Sequence, residues 1–327
     1  MIRFESILKS ELSEFISLRE TCLSKSAFDH DCHYLQKFDG YLTHSGCEKK
    51  EISEELITEW VGSLIGKSSS IANEVIVIRI FLQHLNSAGI RVYIPPVPKV
   101  FDDYIPYIFS DMELAKIFMS ADNIPMTKRQ TNLNIQFEYP MVLRLMYGCG
   151  LRIGETLMLR MQDVDFDNGV LILKHTKGDK QRLVPMHCAL TLILTNYCMA
   201  MGLTGKTDSF LFPSAIFGIP MSTHTALHRF EKILKQSDIS LPGRQKYQRG
   251  PCLHCLRHVF AFKSFANAEM DGRGINDSVP YLSIYLGHNS LQETEKYLKF
   301  SSEMYPEAME LFEEYTTEIF PEVSYEE

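Results

Sequence analysis

Three prolines within four residues, Pro95, Pro96 and Pro98, divide this chain. A proline ring lacks a backbone N–H and clashes with the preceding helical turn, so no helix runs through such a cluster. Helical periodicity reaches it from one side and resumes on the other. The chain therefore reads as two bodies, and 327 residues suffice for each to bury a core. We place a first domain at 1–94, a linker at 95–105, a second domain at 106–300 and a tail at 301–327.

The first domain reads as helices. Ile71, Val75, Ile78, Leu82 and Leu85 form one apolar stripe from Ser70 to Asn86, with Ser68, Ser69 and Ser70 as cap oxygens. A second helix spans 52–65, opened by Ser53. The second domain has helical patterns at 110–121, 136–148, 188–201, 223–236 and 252–268. A short helix at 291–298 follows, with Ser290 and Glu293 as a capping box. Between them stand two β-rich runs, Val170–Lys174 and Gln181–Pro185, joined by a turn centred on Gly178-Asp179. The predicted class is mainly α with a small antiparallel β-sheet: a helical first domain and an α+β second domain.

Composition removes several classes. With 45% hydrophobic and 23% charged residues, the chain is neither disordered, collagen-like nor a disulfide scaffold. No run approaches the roughly 20 apolar residues of a membrane span, so no membrane partner is expected. The charged, amphipathic N-terminus does not read as a signal peptide, so a cytoplasmic protein with eight reduced cysteines is expected. The net charge of −8 hides an asymmetry, since residues 301–327 hold nine Glu and no Lys or Arg. Basic side chains concentrate at 174–182 and 228–257, so a polyanion is allowed if the middle of the chain grips it. Met304, Ala308, Leu311, Tyr315 and Ile319 give the tail an amphipathic stripe that must dock on its own domain or on a neighbouring subunit.

Three stretches carry chemistry. Gly148 and Gly150 end an apolar helix and place Arg152 at the start of the next. There its planar fork suits a phosphate, or pairs with Glu155 three residues on. His254 and Arg257 are three apart on one helix, with Leu253, Leu256, Val259 and Phe260 on its apolar side. Cys252, Cys255 and His258 raise a zinc alternative, but no second ligand pair has the spacing, and no metal is expected. Asp29-His30-Asp31-Cys32-His33 also looks metal-like and reads as a solvated helix edge. Leu286-Gly287-His288 precedes Tyr297 by about two helical turns.

In order, these stretches resemble the tyrosine recombinase (phage integrase) family, of the bacterial mobile-element type. The resemblance rests on Tyr147-Gly-Cys-Gly-Leu-Arg152-Ile-Gly-Glu155, Thr176-Lys177-Gly-Asp-Lys-Gln-Arg-Leu-Val-Pro185, His254-Cys-Leu-Arg257-His258 and Leu286-Gly-His288. It covers about 105–300; the first domain resembles a core-binding, DNA-clamping domain in size and placement. One departure is the longer segment 266–279, expected as a surface insertion.

The resemblance implies DNA strand cleavage and rejoining through a 3′-phosphotyrosine. Tyr297 is the implied nucleophile, Arg152 and Arg257 hold the phosphate oxygens, and Lys177 protonates the leaving 5′-oxygen. His254 and His288 complete the shell, His254 taking the tyrosine proton, while Glu155 orients the pocket. No metal or ATP is needed, and no cofactor is expected. Lys174, Lys180, Arg182, Arg229, Lys232, Lys235, Arg244, Lys246 and Arg249 are expected on the DNA backbone, with Lys67 and Ser70 from the first domain. The expected partner is double-stranded DNA carrying a specific recombination site. A homotetramer docked through the tail is expected on it, with room for accessory DNA-bending proteins. Two alternatives stay open: a catalytically inactive DNA-binding protein of this fold, and a type IB topoisomerase-like relaxing activity.

Overall fold

The computed structural model describes residues 3–47, 49–100, 106–125, 134–174, 181–214, 218–240, 250–288 and 290–295. It divides into two compact units, Met1–Tyr104 and Ile105–Glu327. Lys177, Lys180, Arg244, Lys246, Arg249, Tyr297, the Gly178-Asp179 turn and the tail stripe lie outside the described residues.

The first unit is built from helices α1 (Lys9–Cys22), α2 (Lys25–His44), α3 (Glu54–Ser63) and α4 (Ser68–Ser87). α2 packs on α4, and α1 packs on both. The stripe expected on α4 lies on its buried face: Val75, Ile78, Leu82 and Leu85 are each 0% exposed, joined by Phe81, while Ile71 is half-buried. Burying side chains of this size contributes about 1.5–3 kcal/mol apiece. Ser53 caps α3 by accepting from the Leu56 N–H at 3.3 Å. Two expectations are corrected. Ser68, Ser69 and Ser70 lie inside α4, whose N-cap is Lys67 and makes no side-chain cap bond. The 29–33 stretch is only partly solvated, because Asp31 and Cys32 are buried and Asp31 pairs with Arg19 at 2.7 Å.

The second unit follows as α5 (Asp111–Asp122), α6 (Ile135–Cys149), α7 (Ile153–Met158), β1 (Val164–Asp165), β2 (Val170–Leu173), β3 (Arg182–Pro185), α8 (Cys188–Ala200), α9 (Thr223–Gln236), α10 (Cys255–Met270), α11 (Ile275–Leu286) and α12 (Leu291–Glu295). The sheet is antiparallel in the order β1-β2-β3, with Leu171 opposite Val184 and Leu173 opposite Arg182. The fold class is therefore the expected one: mostly helical, with one small antiparallel sheet. α6 is the central helix, packing on α5, α8 and α10. It is buried almost all round, as its near-continuous apolar sequence requires. Ser110 and Glu113 form a full capping box on α5.

Three local expectations change. Gly148 stays within α6, and the turn is made by Gly150 alone, at φ +60°. The 266–279 segment is mostly helix, since α10 runs to Met270 and α11 begins at Ile275, leaving a four-residue connection. Ser290 engages Glu293 through its backbone carbonyl, at 3.2 Å. Among the described residues no helix is long and apolar enough to cross a membrane.

Candidate active site

The last carbonyls of an α-helix have no partner within it and carry the negative end of the helix dipole. In the second unit, two such ends, of α6 and α11, are sites where arginines collect. Each is closed by a glycine in the left-handed conformation, Gly150 at φ +60° and Gly287 at φ +66°. A Cβ at Gly150 would lie 2.5 Å from the Phe260 ring, so this turn needs glycine for space as well as for φ.

Arg257, from the first turn of α10, is 0% exposed. Its Nη1 donates to the Gly150 carbonyl and its Nη2 to the Leu286 carbonyl, each at 2.7 Å. Arg152 is the N-cap of α7. It donates to the Leu286 and Gly287 carbonyls at 3.4 Å and, through Nη1, to Glu155 Oε1 at 3.0 Å. Its backbone N–H donates to Glu155 Oε2 at 2.9 Å. The pairing with Glu155 and the place at a helix start therefore hold together. Arg182, on β3, adds a third guanidinium. Its Nε donates to the Tyr285 carbonyl at 3.0 Å, and Nη1 and Nη2 donate to the two Glu155 oxygens at 2.8 Å each.

Glu155 is thus a carboxylate, 4% exposed, among three arginines; Arg257 Nη1 lies 4.0 Å from its Oε2. Burial pushes its acidity toward a higher pKa. The hydrogen bonds of Arg182 and the Arg152 backbone and the charges of both arginines outweigh this and hold it at about 2.

His288 follows Gly287. Burial, then the positive charge of Arg257, Arg152 and Arg182, push its imidazole down to about 3. It is neutral at physiological pH. Arginine can only donate, so His288 Nε2 accepts from Arg257 Nη2 at 3.0 Å. The proton then sits on Nδ1 and is donated to Thr294 Oγ1 at 2.6 Å. Thr294 is 0% exposed and was not singled out by the sequence; only its place one turn past the Leu-Gly-His stretch marks it. His254, exposed at the N-cap of α10, lies edge-on to buried His258, with ring centroids 4.7 Å apart. Cys252 and Cys255 sulfurs are 3.4 Å apart, and among the described residues no cluster of three or more His, Cys, Asp or Glu could hold a metal.

The structure therefore brings together Arg152, Glu155, Arg257 and His288, with His254 at the head of the helix that carries Arg257. Two residues expected on the DNA backbone are engaged elsewhere: Arg182 on Glu155, and Lys174, whose ammonium meets Asp163 at 2.6 Å. Lys232 and Lys235 are exposed on α9 and Arg229 is half-buried there, while Lys67 and Ser70 are exposed at the start of α4. The inward position of Arg182 was legible in part, since strand alternation puts it on the face of buried Val184.

Three guanidiniums thus share one buried carboxylate, on a helical fold with a three-stranded sheet. Residues 113–304 match the phage integrase family model, and the chain belongs to that family, the tyrosine recombinases. It is 32% identical over 249 residues to the putative integrase/recombinase y4rB of Sinorhizobium fredii (strain NBRC 101917 / NGR234), spanning 72% of this chain and 76% of that protein. It is 28% identical to tyrosine recombinase XerD of Proteus mirabilis, over 72% and 70% of the two chains. Among solved structures, it resembles XerH site-specific recombinase bound to a palindromic difH substrate in a post-cleavage complex. The TM-score there is 0.69 at 20% identity, covering 93% of this chain and 84% of that one. A lambda integrase dimer bound to a COC′ core site gives a TM-score of 0.65 at 16% identity, over 88% and 94%.

Proposed function

We propose that this chain is a site-specific DNA recombinase that cuts and rejoins strands through a 3′-phosphotyrosyl intermediate on Tyr297, serving the integration and excision of a bacterial mobile element. The observation that carries the reading is the charge balance at the Arg152–Arg182–Arg257 cluster, where a single buried carboxylate leaves a surplus of fixed positive charge. A phosphodiester is an anion whose oxygens match forked donors. The family membership and the similarity to named recombinases support strand recombination as the use of that site.

In the proposed reaction, the Tyr297 phenol attacks the scissile phosphorus, forming a 3′-phosphotyrosyl bond as the bond to the 5′-oxygen breaks. His254 takes the phenolic proton and Lys177 gives one to the 5′-oxygen. Arg152, the more exposed of the two expected phosphate arginines, makes first contact with the non-bridging oxygens. Arg257 joins once the groups covering it separate, since its guanidinium begins fully buried. Charge gathering on the phosphate then strengthens both contacts, which is how fixed cations lower the barrier. The incoming anion also offsets the arginine charges that hold His288 neutral, and so favours the protonated form that can donate to it. Rejoining reverses these steps with the 5′-hydroxyl of another strand, so the bond energy is conserved in the phosphotyrosine.

Lys232, Lys235 and Arg229 on α9, together with Lys180, Arg244, Lys246 and Arg249, would track the backbone, and the first unit would close on the other face of the duplex with Lys67 and Ser70. The acidic tail would link subunits of a tetramer. A nicked half-site cut from the DNA flanking the gene tests the reading. The wild type should form a detergent-resistant adduct and exchange strands, and Tyr297→Phe should lower adduct formation by about 10⁴-fold or more with binding intact. An adduct surviving that change removes Tyr297 as the nucleophile. Relaxation of supercoils without site preference would favour the topoisomerase alternative, and binding with neither activity the inactive one.

A further inference from the structure

We propose that Arg182 is a positioning residue for strand cleavage: by occupying both oxygens of Glu155 it keeps the Arg152 guanidinium available to the scissile phosphate. The inference rests on the recombinase reading above.

Two arginines compete for one buried carboxylate. Arg182 meets it fork to fork, with Nη1 on Oε1 and Nη2 on Oε2, both at 2.8 Å. Arg152 reaches it with a single side-chain nitrogen, Nη1 at 3.0 Å, and touches carbonyls only at 3.4 Å. The exposures follow the same order: 11% for the Arg182 side chain, 24% for Arg152, 4% for Glu155. A carboxylate this buried cannot turn to water. Without Arg182 its nearest forked donor is Arg152, and a two-point pair there would withdraw the nitrogens a phosphate needs.

The surroundings are shaped for Arg182. Its Nε is fixed on the Tyr285 carbonyl at 3.0 Å, and the strand register places it inward with Val184. The path is open because residue 287 has no side chain. A Cβ there would lie 2.9 Å from Arg182 Nη1 and 3.1 Å from its Cδ. Gly287 thus ends α11 and also clears the way for Arg182.

The test compares Arg182→Met with the double variant Arg182→Met/Glu155→Gln. Single-turnover cleavage of the half-site should fall about 100-fold in Arg182→Met, as when one preorganised donor is lost, with half-site affinity changed less than about threefold. The double variant should recover about tenfold of that loss, because a neutral amide no longer captures Arg152. A merely structural role predicts the opposite, a further fall when a second buried group loses its partner. A second readout needs no DNA: mass spectrometry of Arg152 labelling by phenylglyoxal. Labelling should slow in Arg182→Met and return in the double variant. Arg182→Lys, whose single ammonium cannot span both oxygens, should cleave at an intermediate rate, and stands in for Arg182→Met should that variant not fold. Wild-type cleavage by Arg182→Met, or a double variant slower than the single one, overturns the proposal. Absence of any wild-type adduct removes the recombinase reading instead, while the labelling pattern still decides the role of Arg182.

Discussion

One buried acid of the second unit, Glu155, is treated differently from those of the first. In the first unit each is matched where it sits. Asp31 takes the fork of Arg19, Glu74 takes the Lys37 ammonium at 2.6 Å, and Asp39 accepts the backbone N–H groups of Glu5 and Ser6 at 2.8 and 3.0 Å. In the second unit Asp163 is likewise met by the Lys174 ammonium at 2.6 Å, whereas Glu155 faces three guanidiniums. Local neutrality is what a scaffold needs, since an uncompensated buried charge is costly. At Glu155 the surplus persists where helix-end carbonyls share the cost, and in the function proposed above it receives a phosphate. The balance of charge thus sets the surroundings of Glu155 apart from those of the other paired acids.

The strongest way to break this comparison is Arg257→Met. It leaves the Gly150 carbonyl without its arginine donor and the Leu286 carbonyl with only the long contact from Arg152, and should cost about 3–5 kcal/mol of stability, measured by calorimetry. Cleavage should fall by about 10³-fold at least. A variant that loses only one of the two quantities would show that support and chemistry are separable at this residue.

A smaller effect sharpens it through pH. Glu155 has its pKa lowered to about 2, from an ordinary 4.5, so its contribution is complete above 4.5 and is lost as pH falls toward 2. It amounts to about 3 kcal/mol. His288, lowered to about 3 from 6.5, adds an earlier limb. Between those values the unfolded chain binds the proton and the folded one does not, so stability falls as pH drops from 6.5 toward 3. Glu155→Gln should flatten the lower limb of acid unfolding, and His288→Asn the upper one. The smallest effect belongs to the first unit. Glu74→Gln should change its melting by about 1 kcal/mol or less, because Lys37 is 47% exposed, and should leave cleavage unaltered.

The sequence made the arginines legible because each stands beside a glycine or a helix start that marks a turn. It revealed the periodicity of α4 and the strand pair for the same reason: burial imposes a repeat. What it left hidden depends on contacts between distant stretches. Arg182 read as one more basic residue in a basic hairpin, and its partner Glu155 lies 27 residues away. Thr294 has no pattern of its own and matters only because His288 turns toward it. Asp31 looked solvated because the arginine that pairs with it belongs to a different helix.

The end of α11 supplies carbonyl oxygens to Arg152, Arg182 and Arg257 from three successive residues, Tyr285, Leu286 and Gly287. All three guanidiniums are therefore moored to one short stretch of backbone. A slide of that helix by a fraction of a turn would disturb all three contacts at once. Whatever steadies the end of α11 therefore steadies the seating of all three arginines.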